Sequence, residues 1–222
     1  MDNSLTARPL RDTPFKGVYA ITDDHLIADD KLEEVCEQAL KGGVALLQYR
    51  SKASGKSFAR RRSEAAALTA LCESYGAYLL VNDDIDLCQA ANAHGVHLGQ
   101  QDGSVSEARQ RLGHHAIIGV TCHNRDELVV SAEREGADYA AIGRFFPSQT
   151  KPGATAASIE DLQRIRGITG LPLVAIGGVT ADNGAALLQA GADMLAVIHY
   201  LFSADDVHAR ASALSSLFRH TR

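Results

Sequence analysis

Eight short apolar runs punctuate the chain: GVYAIT, VALLQY, AYLLVN, GVHLG, AIIGV, DYAAIG, LPLVAIG and MLAVIH. Each is continuous rather than alternating apolar with polar, which is the pattern of a strand covered on both faces. Helix-like stretches such as DDKLEEVCEQALKGG and ELVVSAEREGAD lie between them. Strands joined through helices pair in parallel, and eight such units close into a barrel with the helices outside. Most of the runs begin at or just after a Gly that could cap the preceding helix: Gly43, Gly76, Gly95, Gly136, Gly170 and Gly191. No Pro/Ser-rich linker or charge block divides the 222 residues. The expectation is therefore an α/β protein, a single-domain (β/α)8 TIM barrel over residues 15–222, with a loose tail over residues 1–14.

The segment VAIGGVTADN followed by LQAGADMLAVIH, from Val174 to His199, reads as the last two units of such a barrel. Loops after strands 7 and 8 of these barrels commonly hold phosphate on backbone N–H groups. Gly177 and Gly178 would let the backbone approach an anion with no Cβ in the way, and Thr180-Ala181-Asp182 reads as the start of the next helix.

Composition excludes several classes of partner. A net charge of −5 gives no electrostatic footprint for nucleic acid or an anionic membrane surface. Arg60-Arg61-Arg62 is the only basic run and reads as a solvated helix face. The N-terminus has no apolar core of a signal peptide, and no apolar run is long enough to span a bilayer, so the expected location is the cytoplasm. Cys36, Cys72, Cys88 and Cys122 form no C-x-x-C pair, which suggests neither a disulfide framework nor a zinc site. With no Trp, stacking platforms for single strands are not expected either. Small molecules remain as partners, and a homo-oligomer stays open.

Chemistry in a β/α barrel belongs where strands end. After the second run, alternation would point Gln48, Arg50 and Lys52 to one side, two cations suited to a diphosphate. After the third and fourth stand Asn82-Asp83-Asp84 and Gly99-Gln100-Gln101-Asp102. Carboxylates at adjacent strand ends can share a hard cation with phosphate oxygens, while Asp84 suits the cap of the following helix. Thr121-Cys122-His123 follows the fifth run, and the loop from Pro147 to Gly153 follows the sixth with Ser148, Thr150 and Lys151. Together these groups exceed what one monophosphate needs and suggest two phosphorylated ligands bridged partly by metal.

In family order and with family-like spacing, QYRSK, VND, GVHLGQQD, GVTCH, DYAAIGRFFPSQTK and VAIGGV make the chain resemble the thiamine-phosphate synthases from about Lys16 to Phe202. The resemblance implies a barrel enzyme joining 4-amino-2-methyl-5-(diphosphooxymethyl)pyrimidine to 4-methyl-5-(2-phosphooxyethyl)thiazole with magnesium, giving thiamine phosphate and diphosphate. It implies that Gln48, Arg50, Lys52, Asn82, Thr121 and Lys151 hold the pyrimidine diphosphate, with Arg50, Lys52, Lys151 and Thr121 acting in catalysis. Asp83 and Asp102 would bind Mg2+, and Ser148, Thr150, Gly178, Ile198 and His199 would contact the thiazole phosphate.

Three positions depart from the usual pattern of that family. Thr121 stands for Ser and Ser148 for Thr, both keeping the hydroxyl, whereas His199 stands for Ser and brings an imidazole to the thiazole phosphate. Two rival readings follow. A thiazole tautomerase of the same barrel family would use His123 for proton transfer but leaves Arg50, Lys52, Asn82, Asp83 and Asp102 without a task. A catalytically silent sensor of thiamine precursors should have lost a metal carboxylate or the cations, and neither is missing. Cys122 beside His123 is not expected to act as a nucleophile, since adjacent strand residues point opposite ways.

Overall fold

The computed structural model describes residues 15–52, 55–147 and 156–219. The expected tail over residues 1–14 lies outside them. Eight parallel strands close in chain order into a barrel: β1 Gly17–Ile21, β2 Val44–Tyr49, β3 Tyr78–Asn82, β4 Gly95–Leu98, β5 Ile117–His123, β6 Tyr139–Ile142, β7 Leu173–Ile176 and β8 Met194–Val197. Around them run α1 Leu32–Lys41, α2 Phe58–Ser74, α3 Ile85–Ala90, α4 Val105–Leu112, α5 Asp126–Glu135, α6 Ile159–Arg166, α7 Gly184–Gln189, the short α8 His199–Phe202, and α9 Val207–Ser216. All eight apolar runs are strands. Their continuity has the cause expected of it, because alternate residues serve two different cores.

Outward residues such as Val18, Leu47, Leu79, Val96, Ile118, Ala140, Leu173 and Leu195 pack against the helices. Inward residues Tyr19, Leu46, Leu80, Ile117, Tyr139, Val174 and Met194 fill the barrel itself. One inward layer depends on a missing side chain. His97, Gly119 and Tyr139 are register neighbours on β4, β5 and β6, and the His97 and Tyr139 rings stack with centroids 5.7 Å apart. A Cβ on Gly119 would collide with the Tyr139 ring, so glycine there makes room for the tyrosine.

Helix ends follow the capping chemistry only in part. Asp84 caps α3 by accepting from Leu87 N at 2.9 Å, and Gly136 ends α5 in the left-handed conformation. Gly95 instead opens β4, and α6 ends at Gly167 rather than Gly170. Thr180-Ala181-Asp182 precedes the helix rather than starting it. There the Asn183 side chain accepts from Thr180 N at 2.8 Å and donates to Gly178 O at 3.0 Å, bracing the glycine turn after β7.

A repeated staple holds the far end of the barrel. Before β4, β6 and β8, the preceding residue donates its N–H to a carbonyl on the previous strand and accepts that residue's N–H on its side chain. Asp138 does this with Ile118 at 2.7 Å each way, and Asp193 with Leu173 at 2.8 Å each way. His94 does the same with Leu79, both bonds at 3.0 Å, so its Nδ1 must be unprotonated. Burial lowers the His94 pKa, although Glu73 lies 3.7 Å from Nε2 and opposes the shift; the Tyr78 ring packs edge-on at 5.2 Å.

A histidine held neutral in the fold binds more protons when unfolded. Its contribution is therefore full above the unfolded value of about 6.5 and fades as pH falls through the folded one. Urea midpoints should drop between pH 7 and 5.5, and His94→Asn, whose Oδ1 accepts the same N–H without titrating, should flatten that drop. Parallel pH dependence in both proteins would assign the acid sensitivity elsewhere.

Candidate active site

The strand C-termini surround a cavity of about 360 Å³ lined by Gln48, Arg50, Asn82, Asp83, His97, Asp102, Thr121 and His123, and on the other side by Gly177, Gly178, Ile198 and His199. Ile21, Ala141, Val174, Ile176 and Ala196 give it an apolar wall fit for a heteroaromatic ring. A more polar cleft of about 580 Å³ opens beside it. The two share Asn82, Asp83 and Asp102, and Lys52, Arg61 and Asp84 border the outer one.

Of the side chains expected after β2, Gln48 and Arg50 face the mouth, while Lys52 reaches the outer cleft. The strand ends at Tyr49, so its alternation no longer directs Lys52. Asp23, two residues past the end of β1, grips Arg50 Nη1 at 2.8 Å, and both side chains are largely buried. Thr22 holds the same residue from behind, its Oγ1 accepting from Arg50 N at 2.9 Å. Half of the guanidinium is thus anchored, which leaves its remaining N–H groups oriented for an anion.

Asp83 takes Lys52 Nζ at 2.7 Å and Asn82 Nδ2 at 2.5 Å on one oxygen and Gly99 N at 3.2 Å on the other. Burial raises its pKa, but Lys52 and the Gly99 amide outweigh burial and hold the carboxyl below its ordinary value. The acid is therefore ionised at neutral pH. Asp102 converges on it: a Cβ on Gly99 would collide with Asp102 Oδ2 and lie 3.8 Å from Asp83 Oδ1. Two hard oxygen donors over one bare glycine fit a magnesium ion that takes its other ligands from phosphate and water. Among the described residues no group of three or more His, Cys, Asp or Glu could hold a metal by itself, so those two carboxylates would need such help.

Below the mouth lies a network that reading the strand ends missed. Gln48 Nε2 donates to Tyr19 Oη at 2.5 Å, Tyr19 Oη meets Tyr139 Oη at 2.9 Å, Tyr139 Oη meets His97 Nδ1 at 2.7 Å, and His97 Nε2 meets Thr121 Oγ1 at 2.9 Å. Burial raises both phenol pKa values well above normal, so both hydroxyls keep their hydrogens. With Gln48 donating at one end, each phenol uses its single hydrogen on the next group. His97 then carries its proton on Nε2, and the Thr121 hydroxyl is left to donate into the cavity. The sequence held one clue: Tyr19, His97 and Tyr139 are polar residues inside otherwise apolar strands.

At the opposite rim Gly177 and Gly178 adopt φ 101° and 64°, and α8 begins at His199 directly after β8. This is the arrangement of loops and short extra helix that holds phosphate in such barrels. The His199 imidazole lies 3.3 Å from Oγ of Ser203, the residue that caps the end of its helix, while bordering the cavity. His123 also borders it, at φ 56°. Cys122 is buried on the outer core, and burial pushes its thiol up to about 12, so it is no nucleophile. Ser148, Thr150 and Lys151 lie outside the described residues.

The thiamine monophosphate synthase family matches residues 18–201. A thiamine-phosphate synthase from Thioalkalivibrio sulfidiphilus is 47% identical over 203 residues, covering 91% of this chain and 95% of that protein. The structure of a thiamine phosphate pyrophosphorylase from Pyrococcus furiosus superposes with a TM-score of 0.84 at 31% identity, covering 94% and 97% of the two chains. Orotidine 5'-phosphate decarboxylase from Pyrococcus horikoshii OT3, at 13% identity and TM-score 0.64 over 90% of this chain and 99% of its own, shares the barrel alone. A match over most of the barrel, and a close relative over nearly its whole length, place this chain in the thiamine monophosphate synthase family.

Proposed function

We propose that this barrel is a thiamine-phosphate synthase that joins the pyrimidine diphosphate to the thiazole phosphate at the mouth described above. The observation that carries the reading is the convergence of Asp83 and Asp102 over Gly99 beside Arg50 and Lys52, across an apolar wall from the Gly177-Gly178 turn. The mouth offers a metal-assisted diphosphate site on one side and a phosphate site on the other. A tautomerase would leave the first idle, although His123 borders the same cavity. The reading also keeps the protein in the cytoplasm, with small-molecule substrates.

Arg50, Lys52, Asn82 and Thr121, together with Lys151, would hold the diphosphate, with Gln48 at the pyrimidine; Ser148, Thr150, the Gly178 turn and the backbone at Ile198 and His199 would hold the thiazole phosphate. Magnesium on Asp83 and Asp102 would supply positive charge to the departing diphosphate. The bond that breaks joins the pyrimidine methylene to a diphosphate oxygen, which leaves with the electron pair. The pyrimidine amino group stabilises the resulting methylene cation, and the thiazole nitrogen donates its lone pair to form the new C–N bond. No protein nucleophile takes part, and the chain's contribution is to orient both rings and to stabilise the leaving charge.

Incubation with both substrates and magnesium, followed by oxidation to fluorescent thiochrome, tests the reaction. Product supports the synthase. Turnover of a thiazole carboxylate phosphate alone would support the tautomerase instead, and binding without either reaction would support a sensor.

The grip on diphosphate has its own test. Lysine at position 50 can serve either Asp23 or the diphosphate, whereas the guanidinium serves both. Arg50→Lys should therefore cost about 1–3 kcal/mol of transition-state stabilisation, a fall in kcat/KM of roughly 5–150-fold. An unchanged kcat/KM would leave Arg50 with only its structural tie to Asp23.

A further inference from the structure

The three arginines of the basic run are at least partly solvated, as expected, but their side chains go to three separate anchors. Arg60 reaches Glu64 at 2.9 Å and Asp29 at 2.8 Å, and Arg62 donates to Ala90 O at 3.1 Å. Arg61 meets Asp84 Oδ2 at 2.9 Å. Asp84 adjoins Asp83, and this last contact lies beside the metal carboxylates.

We propose that Arg61, acting through Asp84, is the positioning residue that holds the Asp83 carboxylate over Gly99 for the metal. The inference rests on the reading of Asp83 as a magnesium ligand.

The argument starts from the backbone. Asp83 sits at φ 62°, a left-handed conformation uncommon for residues with a Cβ, although Asp tolerates it better than most. The turn is pinned on both sides. Asp83 N donates to His97 O at 2.8 Å and Asp84 N to Asn82 O at 2.8 Å. Beyond it, Asp84 divides its two oxygens: Oδ1 accepts from Leu87 N to start α3, and Oδ2 takes the Arg61 guanidinium from α2. The guanidinium lies 5.7 Å from the Phe58 ring centroid, one turn back on its own helix. Releasing Asp84 would free one end of this turn, and a return of Asp83 to negative φ would swing its carboxylate away from Asp102.

Location separates this role from contact with the rings, although the outer cleft also holds Lys52. Arg61 and Asp84 border the outer cleft and not the mouth cavity, so neither touches the rings. Both side chains are 27% exposed, so the ion pair contributes little to global stability. Residues that orient metal ligands nevertheless alter metal affinity about 10–100-fold when removed. A large effect on metal with a small effect on melting is thus the signature of positioning.

Three variants, Arg61→Met, Arg61→Lys and Asp84→Asn, would be titrated with Mn2+ by electron paramagnetic resonance in the presence of inorganic diphosphate and no thiazole, so that nothing turns over. Asp84→Asn keeps an oxygen for Leu87 N but loses the charge facing Arg61. Arg61→Met and Asp84→Asn should weaken Mn2+ about 10-fold or more, with thiazole-phosphate affinity unchanged, and Arg61→Lys should recover part of the loss. Wild-type Mn2+ affinity in a folded Arg61→Met protein would overturn the proposal. Asp83→Asn tells the two failures apart. If it abolishes Mn2+ binding while Arg61→Met does not, only the positioning role falls; if it too leaves Mn2+ binding intact, the metal reading of Asp83 falls with it.

Discussion

Asp102→Ala is expected to cut turnover by about 3–4 kcal/mol of transition-state stabilisation, roughly 10²–10³-fold in kcat. Thiazole-phosphate binding should barely change. The asymmetry follows from position: Asp102 stands with Asp83 over Gly99 on the side of Lys52, while Gly178 and His199 face the cavity from the opposite rim. A metal held there acts on charge that develops as diphosphate leaves, so its loss falls on the chemical step. Steady-state kinetics with magnesium varied, together with calorimetry of the thiazole phosphate, would separate the two effects. Near-wild-type kcat in the variant, or full activity without magnesium, would remove Asp102 from the metal site.

Gly119→Ala should be among the most damaging single methyl groups added to the barrel. Its Cβ would enter the Tyr139 ring, which is fully buried, stacked on His97 and hydrogen-bonded to Tyr19. Overpacking of a well-filled core costs about 1–3 kcal/mol, and this site has no flexible neighbour to yield, so a loss of about 3 kcal/mol is expected. For a domain of this size that corresponds to a drop of roughly 6–12 °C in Tm. Activity should also fall well below the new Tm, because a displaced Tyr139 breaks the line of hydrogen bonds that orients Thr121. A scanning calorimetry shift under 2 °C with intact activity would mean that Tyr139 has another place to go.

Individual residues show how far the sequence could be read. Asp84 was legible as a helix cap because capping is local, set by one side chain and an N–H three residues on. Gly95 and Gly170 were misread as helix ends because a glycine before a strand serves several purposes, and local sequence does not distinguish them. At Gly95 the reason is distant in the chain: a Cβ there would collide with the Ile117 carbonyl on β5. Asp23 went unnoticed for the same kind of reason, since its partner Arg50 lies on the next strand. The arginine run looked like one surface feature, yet its members separate once α3 and the turn before it are packed against α2.

The sequence by itself determined the barrel. Eight continuous apolar runs at β/α spacing have few other ways to bury both faces, and most of the described residues expected at their C-terminal ends, Lys52 apart, gather at the mouth. Tertiary structure decided which of these residues act together. Closure brought Asp102 and Asp83 over one glycine, joined Gln48 to Thr121 through Tyr19, Tyr139 and His97 across the interior, and set Arg61 behind the Asp83-Asp84 turn. These contacts span from 16 to 120 residues of sequence. Chain order lists what each strand can contribute, but only strand tilt and register in the closed barrel decide which contributions meet.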